Sequence, residues 1–446
     1  MKTGETSGGT RSMNLGLALC AFALMLDGLD NQLLGLLIPS LIGDWHLPRS
    51  TFTPFIIVTV LLMSAGTSFG GWLGDKFGRK PVLVGSLLWL GTLTLASGAA
   101  ADATQLLILR GLSALGMGGV MPNATALLAE YVARRHRGLS VSVGIAGIPL
   151  GGVLGGLVGS LVIPAFGWRA MFAIAGALTV LAATLIAAVL PESPSLAAAR
   201  SRHKRIDKAG PHDPALQENL PTGGAGQSIM DKAFRRDTLA LWCALFFSML
   251  GVYSMINWVP TLLDQQSKGP AVASLGLAMF NAGGIVGGIV IAGAMDRIGS
   301  RMPLFVTGIT GCILAALAIP AIAPGNAALL SILPLTAMGA CIAGMQAALI
   351  AFSAQVYPTA IRSTGMGAAM AVGRLGALAS SVTGTLVLGF GSAYFLMAMG
   401  VATLFAGFSS MIAREWTPSR VRGMTSDPRA AAPKAFAWSG PPDQIQ

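Results

Sequence analysis

The chain has 446 residues, of which 53% are hydrophobic and only 11% charged. Soluble domains carry roughly 25% charge, so this chain lacks the charge to cover a soluble surface, and its mean hydropathy of +0.69 is that of a membrane protein. The formal net charge of +11 invites a nucleic-acid reading, but the placement of the charges described below argues for topology instead.

Apolar stretches of about twenty residues, the length that spans a bilayer, are expected near 14–38, 53–73, 81–101, 105–128, 139–163 and 169–190. The first is too long for a signal peptide and carries two aspartates, so it reads as an uncleaved helix. The segment 191–237 follows, rich in Pro, Arg, Lys and His and too polar to pack. A second set of stretches is expected near 238–262, 274–295, 304–322, 328–352, 364–388 and 392–412, and the tail from Arg414 is polar again. This gives an all-α membrane protein of twelve transmembrane helices. Its parts are an N-terminal six-helix half (1–190), a linker (191–237), a C-terminal half (238–413) and a tail (414–446) expected to be disordered.

Of the 29 Lys and Arg, only Arg49, Arg169 and Lys268 fall at the other ends of the spans, and only Arg110 and Arg374 fall inside them. The rest sit in the termini and alternate loops. That bias places both termini and the linker in the cytoplasm. The four cysteines (Cys20, Cys243, Cys312, Cys341) lie in apolar stretches without metal-ligand spacing and read as buried small residues.

The two sets repeat one another. Gly70-Gly71-Trp72-Leu73-Gly74-Asp75-Lys76-Phe77-Gly78-Arg79-Lys80 follows the second span, and Asp296-Arg297-Ile298-Gly299-Ser300-Arg301 follows the eighth, with Asp75 and Asp296 offset by 221. Glu130 and Arg137 are echoed by Gln355 and Arg362 at an offset of 225. Two parallel six-helix repeats are the layout of a transporter that rocks around a midplane site.

The 70–81 segment resembles the loop motif of the major facilitator superfamily, and Arg110-Gly111-Leu112 with Gly116, Gly118, Gly119, Pro122 and Asn123 resembles its fourth helix. Asp27-Gly28-Leu29-Asp30 with Gly35 and Pro39-Ser40-Leu41 is similar to the first helix of the aromatic acid:proton symporters. Tyr357-Pro358-Thr359-Ala360-Ile361-Arg362-Ser363-Thr364-Gly365 and Gly373-Arg374-Leu375-Gly376 are similar to the tenth and eleventh helices of the same family. Asn31 and Gln32 depart from the small residues that the family places there. The resemblance implies proton-coupled import of a small aromatic carboxylate such as benzoate or a hydroxybenzoate across a bacterial inner membrane. It implies a monomer without a cofactor and without nucleic acid as a partner.

Ionisable groups inside spans cost roughly 2.5–3.5 kcal/mol each at a helix centre and so need a reason. Asp27 and Asp30 share one helical face. Two carboxylates in low dielectric cannot both ionise cheaply, so one is expected to carry the proton, Asp30 first. The competing reading has one Asp capping a helix break at Gly28 and the other paired with Arg110. Arg110 stays charged and is expected either to switch between an Asp and a substrate carboxylate or to hold a permanent ion pair. Arg374 lies between Gly373 and Gly376, which would leave room for a carboxylate held in two-pronged fashion, or else it is a packing residue. Tyr253, Asn257, Asn281 and Gln346 offer aromatic and amide groups suited to a hydroxylated ring. Trp258 reads as an interfacial tryptophan. Asp75, Arg79, Glu130 and Arg134 are expected to form a conformational latch at the cytoplasmic helix ends. All four histidines fall in loops, away from a midplane relay.

Among other classes, a drug:proton antiporter would carry Gly-Pro-x-x-Gly-Gly in the fifth span. Here Gly147-Ile148-Pro149-Leu150-Gly151-Gly152 displaces the proline. A transporter-like sensor would need a structured cytoplasmic domain in place of the polar 191–237 linker. No phosphate-binding Gly-x-x-x-x-Gly-Lys-Ser/Thr loop supports an ATP-driven pump. No nucleophile–base pair suggests an enzyme.

Overall fold

The computed structural model describes residues 6–132, 143–190, 229–231, 234–357 and 362–414. Arg134 and most of the 191–237 linker and the 414–446 tail lie outside the described residues. Within them the chain is helical: α1 (Thr6–Trp45), α2 (Thr53–Phe77), α3 (Arg79–Ser97), α4 (Ala103–Glu130) and α5 (Gly147–Val189) form one half. The other half is α6 (Arg235–Gln265), α7 (Gly269–Ile298), α8 (Arg301–Ala321), α9 (Ala328–Val356), α10 (Arg362–Phe390) and α11 (Ser392–Ile412). Helices are the form that satisfies every backbone polar group inside lipid without a partner strand.

All eleven of these helices are long and apolar enough to cross a membrane. One of them crosses twice. The 43 residues of α5 would run roughly 64 Å at helical rise, about twice the ~30 Å hydrocarbon core. The helix is broken at Gly167, whose φ of 76° and ψ of 178° are not helical. Among the described residues the chain therefore makes twelve crossings in two halves of six.

The repeat seen in sequence recurs in backbone shape. Gly78 (φ 108°) turns α2 into α3, and Gly299 (φ 90°), 221 residues on, turns α7 into α8. Gly167 breaks α5, and Gly391 (φ 127°) separates α10 from α11. These left-handed angles are ones that only glycine adopts cheaply, so each half keeps its turns at matching places.

The outer surface of the spans is apolar and their ionisable groups are buried, as lipid requires. Leu161, Phe166, Leu329 and Phe390 are exposed, while Asp27, Asp30, Arg110, Asn123 and Asn281 are buried. Cys20 and Cys341 are buried as expected, but Cys243 is exposed on the outer face of α6. Trp258 differs from expectation too. It is fully buried against Gly384 of α10, so it is a core residue and not an interfacial one.

The helices alternate in direction between a Trp45 end and an Asp75 end. At the Trp45 end both halves share one core. Leu36, Leu37, Leu41, Phe52 and Ile56 pack in the same cluster as Ile256, Val259, Leu262, Phe280 and Leu388. At the Asp75 end there are two separate cores. One holds Leu24, Leu83, Leu87, Leu127 and Ile186, and the other holds Leu241, Leu304, Leu349, Phe352 and Ala406. The halves thus meet at the Trp45 end, through α1–α6, α2–α10 and α5–α7, and part towards the Asp75 end.

Candidate functional site

Two deeply buried charges inside the spans form one ion pair. Arg110 of α4 and Asp30 of α1 are each 1% exposed. Arg110 Nη2 donates to Asp30 Oδ2 at 2.8 Å and Nη1 to Oδ1 at 3.1 Å, the two-pronged fit of a guanidinium on a carboxylate. Nη2 also reaches the Asp30 carbonyl at 3.1 Å. Thr94 of α3 donates its hydroxyl to Asp30 Oδ1 at 2.6 Å, and the Phe172 ring of α5 lies 5.7 Å from the guanidinium carbon. Side chains from α3 and α4 therefore fix Asp30 of α1, and an aromatic ring from α5 covers Arg110. In this structure Arg110 is paired with Asp30 and not with Asp27.

Asp27, one turn earlier on α1, is also buried, yet its Oδ1 has no hydrogen-bond partner among the described residues. Gly28 beside it packs directly on the Ile148 backbone of α5, and among the described residues Asp27 forms no ion pair. Tyr253 of α6 faces Asn31 and has both Asp27 and Arg374 within electrostatic range. Asn31, Tyr253 and Arg374 are each partly buried. An uncompensated carboxyl, an amide, a phenol and a guanidinium are thus brought together from α1, α6 and α10.

Arg374 does not occupy the roomy stretch expected from its glycines. A Cβ on Gly373 would stand 2.8 Å from the Met249 sulfur, and Gly376 packs on the Phe246 carbonyl. The glycines seat α10 against α6, because close helix approach needs small residues. The Arg374 side chain instead crosses to the other half, where Nη2 donates to Thr67 Oγ1 of α2 at 3.0 Å. One hydroxyl is a light partner for a guanidinium with five donors, so most of its capacity is left for an anion.

The amides are distributed differently from expectation. Asn281 of α7 does not present a free amide, because it forms a reciprocal pair with Gln32 of α1. Asn257 is buried where Gly35 of α1 crosses α6, with a Cβ there reaching 2.6 Å from the Ile256 carbonyl. Gln346 is half-buried on α9. Asn31, Thr67, Thr94 and Phe172 escaped the sequence reading. Thr94 and Thr67 carry no periodic or charge signal, whereas Asn31 was visible as a departure from the family pattern.

At the Asp75 end, Arg79 bonds Asp75 at 3.3 Å and Glu130 at 3.1 Å. The α2–α4 seam beneath them is tight. Gly70 lies over Gly119, where a Cβ would come within 2.5 Å of the facing Cα. Asn123 Nδ2 donates to the Gly70 carbonyl at 3.0 Å. The loop motif and the fourth-helix motif are therefore two sides of one contact. Asp75 is 75% exposed, and exposed pairs are worth about 0–1 kcal/mol. Asp75→Asn is expected to slow turnover roughly two- to fivefold and leave equilibrium substrate affinity unchanged. Parallel rate and binding measurements on purified protein check this, and a large affinity loss would contradict a gating role.

Two six-helix repeats with a buried charged vertex and a gap opening to one end define a membrane transporter and not an enzyme. The chain belongs to the Major Facilitator Superfamily, whose family model matches residues 20–381. It is 34% identical to the 4-hydroxybenzoate transporter PcaK of Pseudomonas putida over 386 residues, covering 84% of this chain and 86% of that one. It is 32% identical to the gallate transporter of Pseudomonas putida, covering 84% and 85%. In fold it is similar to the inward open xylose transporter XylE from E. coli, with a TM-score of 0.70 at 19% identity, covering 90% and 97%.

Proposed function

We propose that the chain imports a small hydroxylated aromatic carboxylate together with protons across the bacterial inner membrane. In this reading the Asp75 end faces the cytoplasm, both termini lie there, and the chain works as a monomer. The functional units are 1–190 and 238–413, joined by the 191–237 linker and followed by the 414–446 tail.

The observation that carries the reading is the buried Asp27 carboxyl, whose Oδ1 has no hydrogen-bond partner among the described residues, with Tyr253 in electrostatic range of both Asp27 and Arg374. Asp27 is the proton carrier, because a buried carboxyl without a cation is stabilised by taking up a proton. Asp30 was the first choice from sequence, but its two oxygens are engaged by Arg110 and Thr94. Asp30 and Arg110 serve proton coupling by positioning α1 against α4. Arg374 binds the substrate carboxylate, and its buried cost is partly offset when an anion arrives. Tyr253 and Asn31 supply a ring face and polar groups for an aromatic substrate. Asn257 and Gln346 are further contacts on the C-terminal half. Asp75, Arg79, Glu130 and Arg134 gate the cytoplasmic end. The names of the relatives, transporters of 4-hydroxybenzoate and gallate, support the substrate class.

The test is uptake of labelled 4-hydroxybenzoate into cells expressing the chain. Accumulation is expected to collapse with a protonophore, and aromatic acids are expected to compete while their uncharged amides do not. Accumulation that survives loss of the proton gradient and follows sodium would sink the symport reading.

A further inference from the structure

The two halves are tied by a buried pair of amide side chains that the transport reading leaves unused. Gln32 on α1 and Asn281 on α7 are 4% and 2% exposed. Asn281 Nδ2 donates to Gln32 Oε1 at 2.7 Å, and Gln32 Nε2 donates back to Asn281 Oδ1 at 3.0 Å. Asn281 also donates to the Leu277 carbonyl at 2.9 Å, which fixes its amide along its own helix. Each amide thus gives and accepts across the boundary between halves, a match that a one-residue shift of either helix would break.

The position gives this pair its meaning. It lies at the vertex, on the Trp45 side of Asp27, where the two cores have merged into one. Gln32 directly follows Asn31, which faces Tyr253, and it lies two residues beyond Asp30. The pair therefore sits between the charged site and the closed end. Opening the Trp45 end separates α1 from α7, so both hydrogen bonds must break. Their four polar groups then become hydrated.

We infer that the Gln32–Asn281 pair is the lock on the Trp45 end. It sets how much of the population stands closed there, and these are positioning residues for alternating exposure, not substrate contacts. The inference needs no particular substrate or coupling ion, so its test stands apart from the uptake experiment. It reassigns Asn281, whose amide the sequence reading had offered to the substrate.

A reporter of the closed end is at hand. Thr53 of α2 and Thr385 of α10 touch across the halves, with their hydroxyl oxygens 2.8 Å apart, close enough for cysteines there to approach disulfide distance. In a Thr53→Cys, Thr385→Cys background the rate of oxidative cross-linking reports closure. It is read as loss of two maleimide-reactive thiols in the denatured chain. Gln32→Ala and Asn281→Ala are each expected to lower the closed-to-open ratio about five- to tenfold, the shift expected from losing two interhelical hydrogen bonds, and to slow cross-linking in proportion to the closed fraction lost. The exchanged pair, Gln32→Asn with Asn281→Gln, keeps the same amides and total length and is expected to recover to within about twofold of the parent. Gln32→Glu keeps volume but loses a donor, and guards against a poorly folded alanine variant with an intermediate slowing. Unchanged cross-linking in the single variants, or an exchange as slow as they are, would overturn the assignment.

Discussion

Asp27→Asn is expected to abolish uphill accumulation of substrate while leaving downhill exchange in place. The amide matches the carboxyl in shape, so packing against Ile148 and the Tyr253 neighbourhood survives. It cannot take up or release a proton, so each cycle moves substrate without its coupled ion and accumulation falls to the passive level. The remaining exchange should lose its pH dependence across an assay range of about pH 5 to 8, because an amide does not titrate. Asp30→Asn should behave differently. It strips the charge that Arg110 is bound to and lowers the amount of folded protein along with its rate. Counterflow and gradient-driven uptake, measured side by side in proteoliposomes, separate the two. Normal accumulation by Asp27→Asn across that range would move the proton carrier elsewhere.

The largest loss of stability should come from Arg110→Ala. The guanidinium makes two bonds to the Asp30 carboxylate and one to its carbonyl. Removing it leaves a carboxylate that is 1% exposed without a cation. Breaking one side of a buried pair costs roughly 3–5 kcal/mol, whereas replacing both partners by apolar residues of similar size is often neutral. Arg110→Ala is therefore expected to unfold at a much lower temperature than the parent. Asp30→Leu combined with Arg110→Met should recover much of the difference. Thermal unfolding of the parent, Asp30→Leu, Arg110→Met and the combined variant in detergent closes a double-mutant cycle. Additive losses would mean that the pair is not a unit. The recovered double variant should still bind an aromatic acid, because Arg374 and Tyr253 are untouched, and should fail to accumulate it.

The sequence by itself determined the class of molecule. A charge content of 11%, spans of bilayer length and a strict bias of Lys and Arg are consequences of lipid as a solvent, and lipid constrains composition strongly enough to be read without coordinates. The 221-residue offset was legible for a related reason. The turn at Gly78 and its echo at Gly299 need an angle that other residues adopt only at a cost, so the glycines mark matching places in each half. The outliers Asp27, Asp30, Arg110 and Arg374 stood out because charge inside a span is expensive.

What each charge does was decided by tertiary structure alone. Asp27 and Asp30 share one helical face and one residue type, and nothing along α1 says which of them meets a cation. The choice was made by α4, which brings Arg110 to Asp30, and by α3, which adds Thr94. The same holds for Gly373 and Gly376. Small residues look alike in sequence whether they leave space for a ligand or let a helix close on its neighbour, and here Met249 and Phe246 fill the space. Gln32 and Asn281 are 249 residues apart, and an amide carries no charge or periodicity to announce its partner. Hydrogen bonds act over about 3 Å, so which polar groups pair is fixed only when the two halves meet.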